Sequence, residues 1–110
     1  MAIPGYKNAN QTARISVTDK DQVIRIVCEH FDYSFEQLLK QDRRRNLVFA
    51  RNCLYYFLFK YTRMSKVAIG ELLKRDHTSV IHSLKALQDL IDTEDEVSNT
   101  IVEIRKKLIY

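Results

Sequence analysis

Side chains that form hydrogen bonds or exchange protons lie close together between positions 76 and 82. Asp76, His77, Thr78 and Ser79 are consecutive, and His82 follows three residues later. A carboxylate accepts hydrogen bonds, a hydroxyl donates and accepts them, and a neutral imidazole does each through one nitrogen. Such a set can recognise the polar edges of a partner molecule. At helical spacing these residues share one side of a helix whose other side is apolar, with Val80, Ile81 and Leu84.

Catalysis and metal binding are not favoured by the same residues. His77 and His82 are five positions apart, whereas the H-E-x-x-H zinc motif needs a spacing of four to place both imidazoles on one helix face. Neither histidine has a nucleophile or paired carboxylates beside it in the sequence. We therefore expect no enzyme, no catalytic residue, no metal and no cofactor.

Two short helices joined by a tight turn would position these side chains. Ser65 is a suitable N-cap for a helix over 66–73, which ends at Lys74–Asp76, and a second helix runs from His77 to about Ile91. This layout is a helix-turn-helix, in which the second helix enters the major groove of DNA and its first residues reach the base edges. An ordinary solvated helix face is the alternative, and the pattern alone leaves it open.

The rest of the chain predicts further helices and no strand. Apolar residues recur at helical spacing over Asp19–His30, Phe35–Leu39 and Asn46–Tyr61, and a last helix begins at Thr93–Glu96. The segment Asn46–Tyr61 is apolar on nearly every side, which is typical of a central helix packed by several neighbours. The predicted fold is an all-α helical bundle.

The boundaries of these elements follow from polar and capping residues. Thr18 and Ser34 are the expected N-caps of the first two helices. Met1–Val17 is polar and predicts a flexible tail, so residues 18–110 form the expected single domain. Two glycines and one proline in 110 residues agree with helices joined by short loops.

Positive charge is concentrated in the middle of the chain. Arg43–Lys85 holds ten basic residues and two acidic ones, a formal charge of +8 within a chain whose total is +4. Such a segment favours a polyanionic partner. The sequence has no apolar run long enough to span a membrane and no apolar signal core near Met1, which predicts a cytoplasmic protein. Cys28 and Cys53 are isolated and are expected to be reduced and buried.

The run from Ile69 to Ser83, IGELLKRDHTSVIHS, resembles the signature of the C-terminal DNA-binding domain of the DnaA family of bacterial replication initiators. That family pattern has an Ile-Gly pair, a short spacer and then Arg-Asp-His-Thr-Thr/Ser-Val. A weaker resemblance extends over Val23–Leu108 and includes the Leu38-Leu39 pair. It implies the fold of DnaA domain IV, which is similar to that of the Trp repressor.

The resemblance also implies roles for individual residues. Asp76, His77, Thr78 and Ser79 match residues that contact bases in the major groove, and Arg51 matches an arginine that enters the minor groove. A second group matches positions that contact phosphates or neighbouring bases: Arg43, Arg44, Arg45, Ser65, Lys66, Lys74, Arg75 and Lys85.

Two departures from the family pattern shape the expected function. Phe49-Ala50-Arg51 replaces the usual Arg-Pro-Arg, which favours a site preference of its own. The sequence has no G-x-x-x-x-G-K-[ST] loop and no length for an ATPase module, so we expect a stand-alone DnaA-like protein that binds no nucleotide.

The predicted function is sequence-specific binding of double-stranded DNA, at a replication origin or a DnaA-box-like site, in replication initiation or its regulation. A transcriptional repressor of the same fold is one alternative. A protein-interaction module without DNA binding is another, and it would use the aromatic central helix to bind a second copy or a replication protein. No membrane partner is expected.

Overall fold

The computed structural model describes residues 19–109, and every regular element within them is an α-helix. The helices are α1 (Lys20–Phe31), α2 (Phe35–Leu39), α3 (Arg45–Tyr61), α4 (Lys66–Leu72), α5 (His77–Thr93) and α6 (Asp95–Ile109). This confirms the predicted all-α fold. No helix in the described range has the length and hydropathy needed to cross a membrane. The predicted tail, Met1–Val17, lies outside the described residues.

Helix α3 is the centre of the molecule, as its apolar surface predicts. It contacts α1, α2, α4 and α5, while α6 packs on α1 and α5. Its aromatic residues are mostly core residues: Tyr55 and Phe57 are fully enclosed, and Phe59 is 37% exposed. The inner faces of the other helices complete this core with aliphatic residues, among them Val23, Val27, Leu38, Ile69, Leu73, Val80, Leu87, Ile101 and Ile104.

Side-chain caps begin the helices that surround α3. Ser34 forms a capping box with Gln37, and the Ser65 hydroxyl accepts a hydrogen bond from the Ala68 amide, so both predicted caps are confirmed. The cap of α1 is a correction, because the residue in that position is Asp19 and not Thr18. The Asp19 carboxylate accepts from the Asp21 amide, and the residue is extended, as an N-cap requires.

Two apolar residues of the helix-turn-helix are exposed, although Ile81 was predicted on the apolar side of its helix. Val67 is 51% exposed and Ile81 is 41% exposed. The inner side of α4 is occupied by Ile69 and, one turn later, by its C-cap residue Leu73. Val67 is about 200° around the helix from Ile69 at 100° per residue. Ile81 lies about 100° beyond the buried Val80, so it faces the flank of α5.

Candidate nucleic-acid interface

The turn between α4 and α5 is closed by its own backbone. The Arg75 amide donates to the Gly70 carbonyl at 2.7 Å, and the Lys74 amide donates to the Glu71 carbonyl at 3.2 Å. Lys74 has φ of 58°, in the left-handed region. This is the Schellman arrangement, which satisfies the last carbonyls of a helix and reverses the chain. The second helix therefore starts only a few residues after the first one ends.

Gly70 makes this close approach possible. A Cβ atom added at Gly70 would lie 2.6 Å from the carbonyl oxygen of Arg75 and 3.3 Å from the amide nitrogen of His77. Both neighbours are backbone atoms, so neither can rotate away as a side chain would. The Ile-Gly pair thus has a physical explanation, because Ile69 is buried in the core while Gly70 admits the turn.

The first residues of α5 form an exposed polar surface. Asp76 is the N-cap, and its Oδ1 accepts from the Thr78 amide at 3.4 Å. The same oxygen lies 3.3 Å from His77 Nδ1. Thr78, Ser79 and His82 are all exposed. The structure thus brings the predicted base-reading residues of the helix-turn-helix together, and it adds a capping role for Asp76 that the sequence analysis missed.

Several of the predicted phosphate-binding residues have cationic side chains without acidic partners. No carboxylate oxygen within residues 19–109 lies within 4 Å of the charged group of Lys66, Lys74 or Lys85, and the same holds for Arg43 and Arg45. The Nζ atom of Lys66 lies 5.1 Å above the Phe59 ring. Ser65 is exposed at the start of α4, where its hydroxyl already accepts the Ala68 amide.

Arg44, the middle residue of the basic loop Arg43–Arg45, is already paired. Its Nε and Nη2 donate to the Asp42 carboxylate at distances of 2.7–3.1 Å, and its amide donates to Asp42 Oδ1 at 2.9 Å. These hydrogen bonds from Arg44 lower the pKa of Asp42 to about 2. The carboxylate therefore stays ionised at neutral pH and offsets one of the three loop arginines.

Arg51 lies inside the protein, which differs from the exposed position that a minor-groove contact needs. The residue is 8% exposed. Its Nε donates to the Leu38 carbonyl at 2.8 Å, and its Nη2 donates to the carbonyls of Lys40 and Asp42 at 2.7 and 3.3 Å. Burial lowers the pKa of this guanidinium, and the nearby positive charge of Arg75 lowers it further.

Arg75 reaches the same place from the helix-turn-helix. Its Nη1 donates to the Leu39 carbonyl at 3.2 Å, and its Nη2 donates to the Lys40 carbonyl at 2.7 Å. The family resemblance had placed Arg75 among the residues that contact phosphates or neighbouring bases. A basic residue beside a reading helix looks the same in a sequence whether it faces DNA or the protein.

A helical bundle with a helix-turn-helix at one exposed edge is the class that this fold and site define. Comparison with known proteins then identifies the family. The family model described as the bacterial dnaA protein helix-turn-helix matches residues 20–87. The chain belongs to this family, which confirms the resemblance seen in the sequence, and the family is not one of enzymes.

Curated relatives agree with the family model. The chain is 35% identical over 89 residues to the chromosomal replication initiator protein DnaA of Oleidesulfovibrio alaskensis, covering 81% of this chain and 19% of that protein. The DnaA proteins of Flavobacterium psychrophilum and Chloroflexus aggregans are 32% and 33% identical, each over 80% of this chain and 19% of theirs. The chain thus spans about a fifth of the length of these relatives.

Proposed function

We propose that this chain binds duplex DNA in a sequence-specific manner, with the start of α5 in the major groove. The observation that carries the proposal is the exposed, self-capped N-terminus of α5 at the end of a turn that Gly70 closes. In a helix-turn-helix this is the part that reaches base edges. Membership of the DnaA family, and the name of its relatives as chromosomal replication initiators, support a role in replication initiation or its regulation at an origin or DnaA-box-like site.

The proposed base-reading residues carry side chains that can form hydrogen bonds with base edges. The second carboxylate oxygen of Asp76 can accept from cytosine N4, since Oδ1 is engaged by the helix start. The Thr78 and Ser79 side chains can donate to or accept from a base, and the threonine methyl can also contact the methyl group of thymine. The contact with Asp76 Oδ1 orients the His77 ring before DNA arrives.

Phosphate contacts are proposed for five cations, of which Lys66 is half-buried and the other four are exposed. Arg43 and Arg45 come from the basic loop, and Lys66, Lys74 and Lys85 come from the helix-turn-helix, with Ser65 as a neutral donor. Arg44 is paired with Asp42, so a phosphate would have to compete with that carboxylate for its guanidinium group. Five neutralised phosphates correspond to a slope of about −4.5 in a plot of log affinity against log salt concentration.

Selection of binding sites from random duplex DNA, at two salt concentrations, tests the function directly. Enrichment of a DnaA-box-like sequence, with the salt slope given above, is the expected result. Enrichment of an unrelated sequence would favour a repressor, and a chain that enriches no sequence would refute specific DNA binding and favour the protein-interaction alternative.

Variants of Asp76 separate base reading from helix capping. Asparagine caps helices about as well as aspartate, so Asp76→Asn should keep the free energy of unfolding within about 0.5 kcal/mol while changing the preferred base. Asp76→Ala should lose the cap as well, about 1 kcal/mol.

His77→Ala should weaken binding to the selected site by about 1–3 kcal/mol and binding to random DNA only slightly. Equal affinity of His77→Ala and wild type for the selected site would remove His77 from the base contacts.

A further inference from the structure

Two arginines from separate elements converge on the C-terminal end of α2. Arg51 comes from the central helix α3, and Arg75 comes from the turn of the helix-turn-helix. Both donate to the carbonyl of Lys40, each at 2.7 Å. Arg51 also holds the carbonyl of Leu38, and Arg75 holds that of Leu39. Consecutive carbonyls at the end of α2 are therefore bound by side chains that are distant in sequence.

These carbonyls need partners because the last turn of a helix leaves its acceptors without intrahelical donors. A guanidinium carries five donors in a rigid planar fork, so it can bridge neighbouring carbonyls, whereas a lysine ammonium cannot reproduce that geometry. The arrangement has a cost, since the two like charges are close together and Arg51 is largely removed from water. An arrangement with this energetic cost points to a functional role in addition to satisfying the carbonyls of a five-residue helix.

The position of the contact supplies that reason. The exposed basic loop begins at Arg43, three residues after Lys40. Arg51 also binds the carbonyl of Asp42, which directly precedes Arg43. Arg75 is bonded to the residue that caps the reading helix, Asp76. The contact therefore ties the start of the loop to the start of α5 through few rotatable bonds.

We propose that Arg75, supported by Arg51, is a positioning residue that sets the basic loop at a fixed distance from the reading helix, so that both engage one DNA site together. Arg75 acts through the carbonyls of Leu39 and Lys40 and makes no phosphate contact of its own. The inference rests on the proposed DNA binding and deepens it, because it assigns Arg75 a different role from the one that its place in the motif implies.

Two substitutions at Arg75 distinguish the roles. Arg75→Lys keeps the charge and loses the fork, and Arg75→Gln loses both. A positioning role predicts that both variants bind the selected site roughly tenfold more weakly than wild type and show the same decrease in slope against salt, because each releases the cationic loop from the DNA. A phosphate contact predicts near wild-type affinity for Arg75→Lys and a loss of about 0.9 in slope for Arg75→Gln. Arg63→Lys, at an exposed arginine outside the basic loop and the helix-turn-helix, is the matched control and should bind as wild type.

A double-mutant cycle tests the link to the loop. In a chain that carries Arg43→Ala and Arg45→Ala, the further change Arg75→Lys should cost little affinity, because the loop it positions no longer contributes. Lys85→Gln, a proposed phosphate contact on α5, should cost the same factor in both backgrounds and serves as the additive reference. Additivity of Arg75→Lys with the loop substitutions would overturn the proposal.

Measurements on the free protein separate failure of this inference from failure of the proposed function. Arg75→Lys should leave the chain folded, as judged by a cooperative thermal transition, and should broaden or shift the amide NMR signals of residues 40–45. Unchanged loop signals in Arg75→Lys would refute the positioning contact whether or not DNA binds. If Arg75→Lys changes the loop signals but the wild type binds no DNA, the contact exists and the proposed function fails, and the positioning role in DNA binding fails with it.

Discussion

The protein has two basic regions of opposite character. The arginine region comprises the C-terminal end of α2, the loop Arg43–Arg45 and Arg51. The guanidinium of Arg51 is bound to backbone carbonyls and that of Arg44 to the Asp42 carboxylate, which leaves Arg43 and Arg45 as the exposed arginines of the region. The lysine region comprises Lys66, Lys74 and Lys85 of the helix-turn-helix, whose ammonium groups have no acidic partner among the described residues. The two regions meet at Arg75.

This difference follows from the chemistry of the two side chains. The planar guanidinium matches pairs of oxygen acceptors and is weakly hydrated, so it can be used inside a protein. The ammonium is strongly hydrated and remains at the surface, where it attracts phosphate as a point charge. A formal charge of +8 over Arg43–Lys85 therefore overstates the charge that a polyanion would meet. The lysine region and the free loop arginines carry most of it.

The largest expected effect is the loss of stability in Arg51→Met. The substitution keeps most of the side-chain bulk and removes three hydrogen bonds to carbonyls at the end of α2. Because the lost hydrogen bonds come from a charged, buried donor, the free energy of unfolding should fall by about 2–4 kcal/mol. Urea denaturation measures this change. Lys85→Met, in the lysine region, should change it by no more than about 0.5 kcal/mol. Equal effects of the two variants would abolish the distinction between the regions.

Gly70→Ala tests the closed turn on which the lysine region depends. Alanine improves helix propensity by about 1 kcal/mol, but its Cβ would lie 2.6 Å from the Arg75 carbonyl oxygen. We expect a net loss of about 1–3 kcal/mol in the free energy of unfolding, together with weaker DNA binding, because α5 must move away from α4. Glu71→Ala, at the exposed neighbouring position, is the control and should be neutral or slightly stabilising. A stabilised Gly70→Ala variant would show that the turn tolerates a side chain.

Lys74→Gly should change stability and DNA affinity in opposite directions. Lys74 has a positive φ, which glycine adopts without a steric penalty, so the variant should gain about 0.5–1 kcal/mol in the free energy of unfolding. It should also lose one phosphate contact and about 0.9 in the slope of log affinity against log salt. Lys74→Ala shares the loss of charge but not the conformational relief. If Lys74→Gly is no more stable than Lys74→Ala, the backbone of the turn is not strained.

Asp42→Asn should give the smallest effect. It removes the acidic partner of Arg44, so that this arginine becomes an unpaired cation like the lysines of the lysine region. The substitution releases Arg44, which should make the salt slope steeper by about 0.9 and raise the affinity for DNA. Glu103→Gln makes the same change in net charge on α6 and should leave the slope unchanged.

The same Asp42–Arg44 pair has a pH signature. The pKa of Asp42 is lowered from 3.8 to about 2, so the stabilisation from the pair is present above the unfolded value and is lost as the pH falls through about 2. Carboxyl NMR titration should place the Asp42 transition near that pH in the wild type, and an ordinary carboxyl titration would show that the pair does not form in solution.

Helices and caps were largely predictable from the sequence because they depend on neighbouring residues. The spacing of apolar residues located α2 without error and α3–α5 to within two residues at each end, and Ser34 and Ser65 were recognised as caps from their place before apolar runs. Asp76 could have been recognised in the same way, since it directly precedes the first helical residue and is a favoured N-cap type.

The uses of the arginines were not predictable in this way. Arg51 binds carbonyls 9 to 13 positions away, and Arg75 binds carbonyls 35 and 36 positions away. Nothing in the local pattern distinguishes such a residue from a free surface cation. The exposure of Val67 and Ile81 has a similar origin, because it depends on how far each neighbouring helix covers α4 and α5.

By itself, the sequence determined the all-α class, the helix-turn-helix and the family, because these depend on periodicity, capping residues and a short specific run from Ile69 to Ser83. Only the tertiary structure decided which basic residues remain available to a polyanion. A positive charge in a sequence has no direction, whereas in the folded chain its contacts are determined by the carbonyls and carboxylates that packing brings within hydrogen-bonding distance.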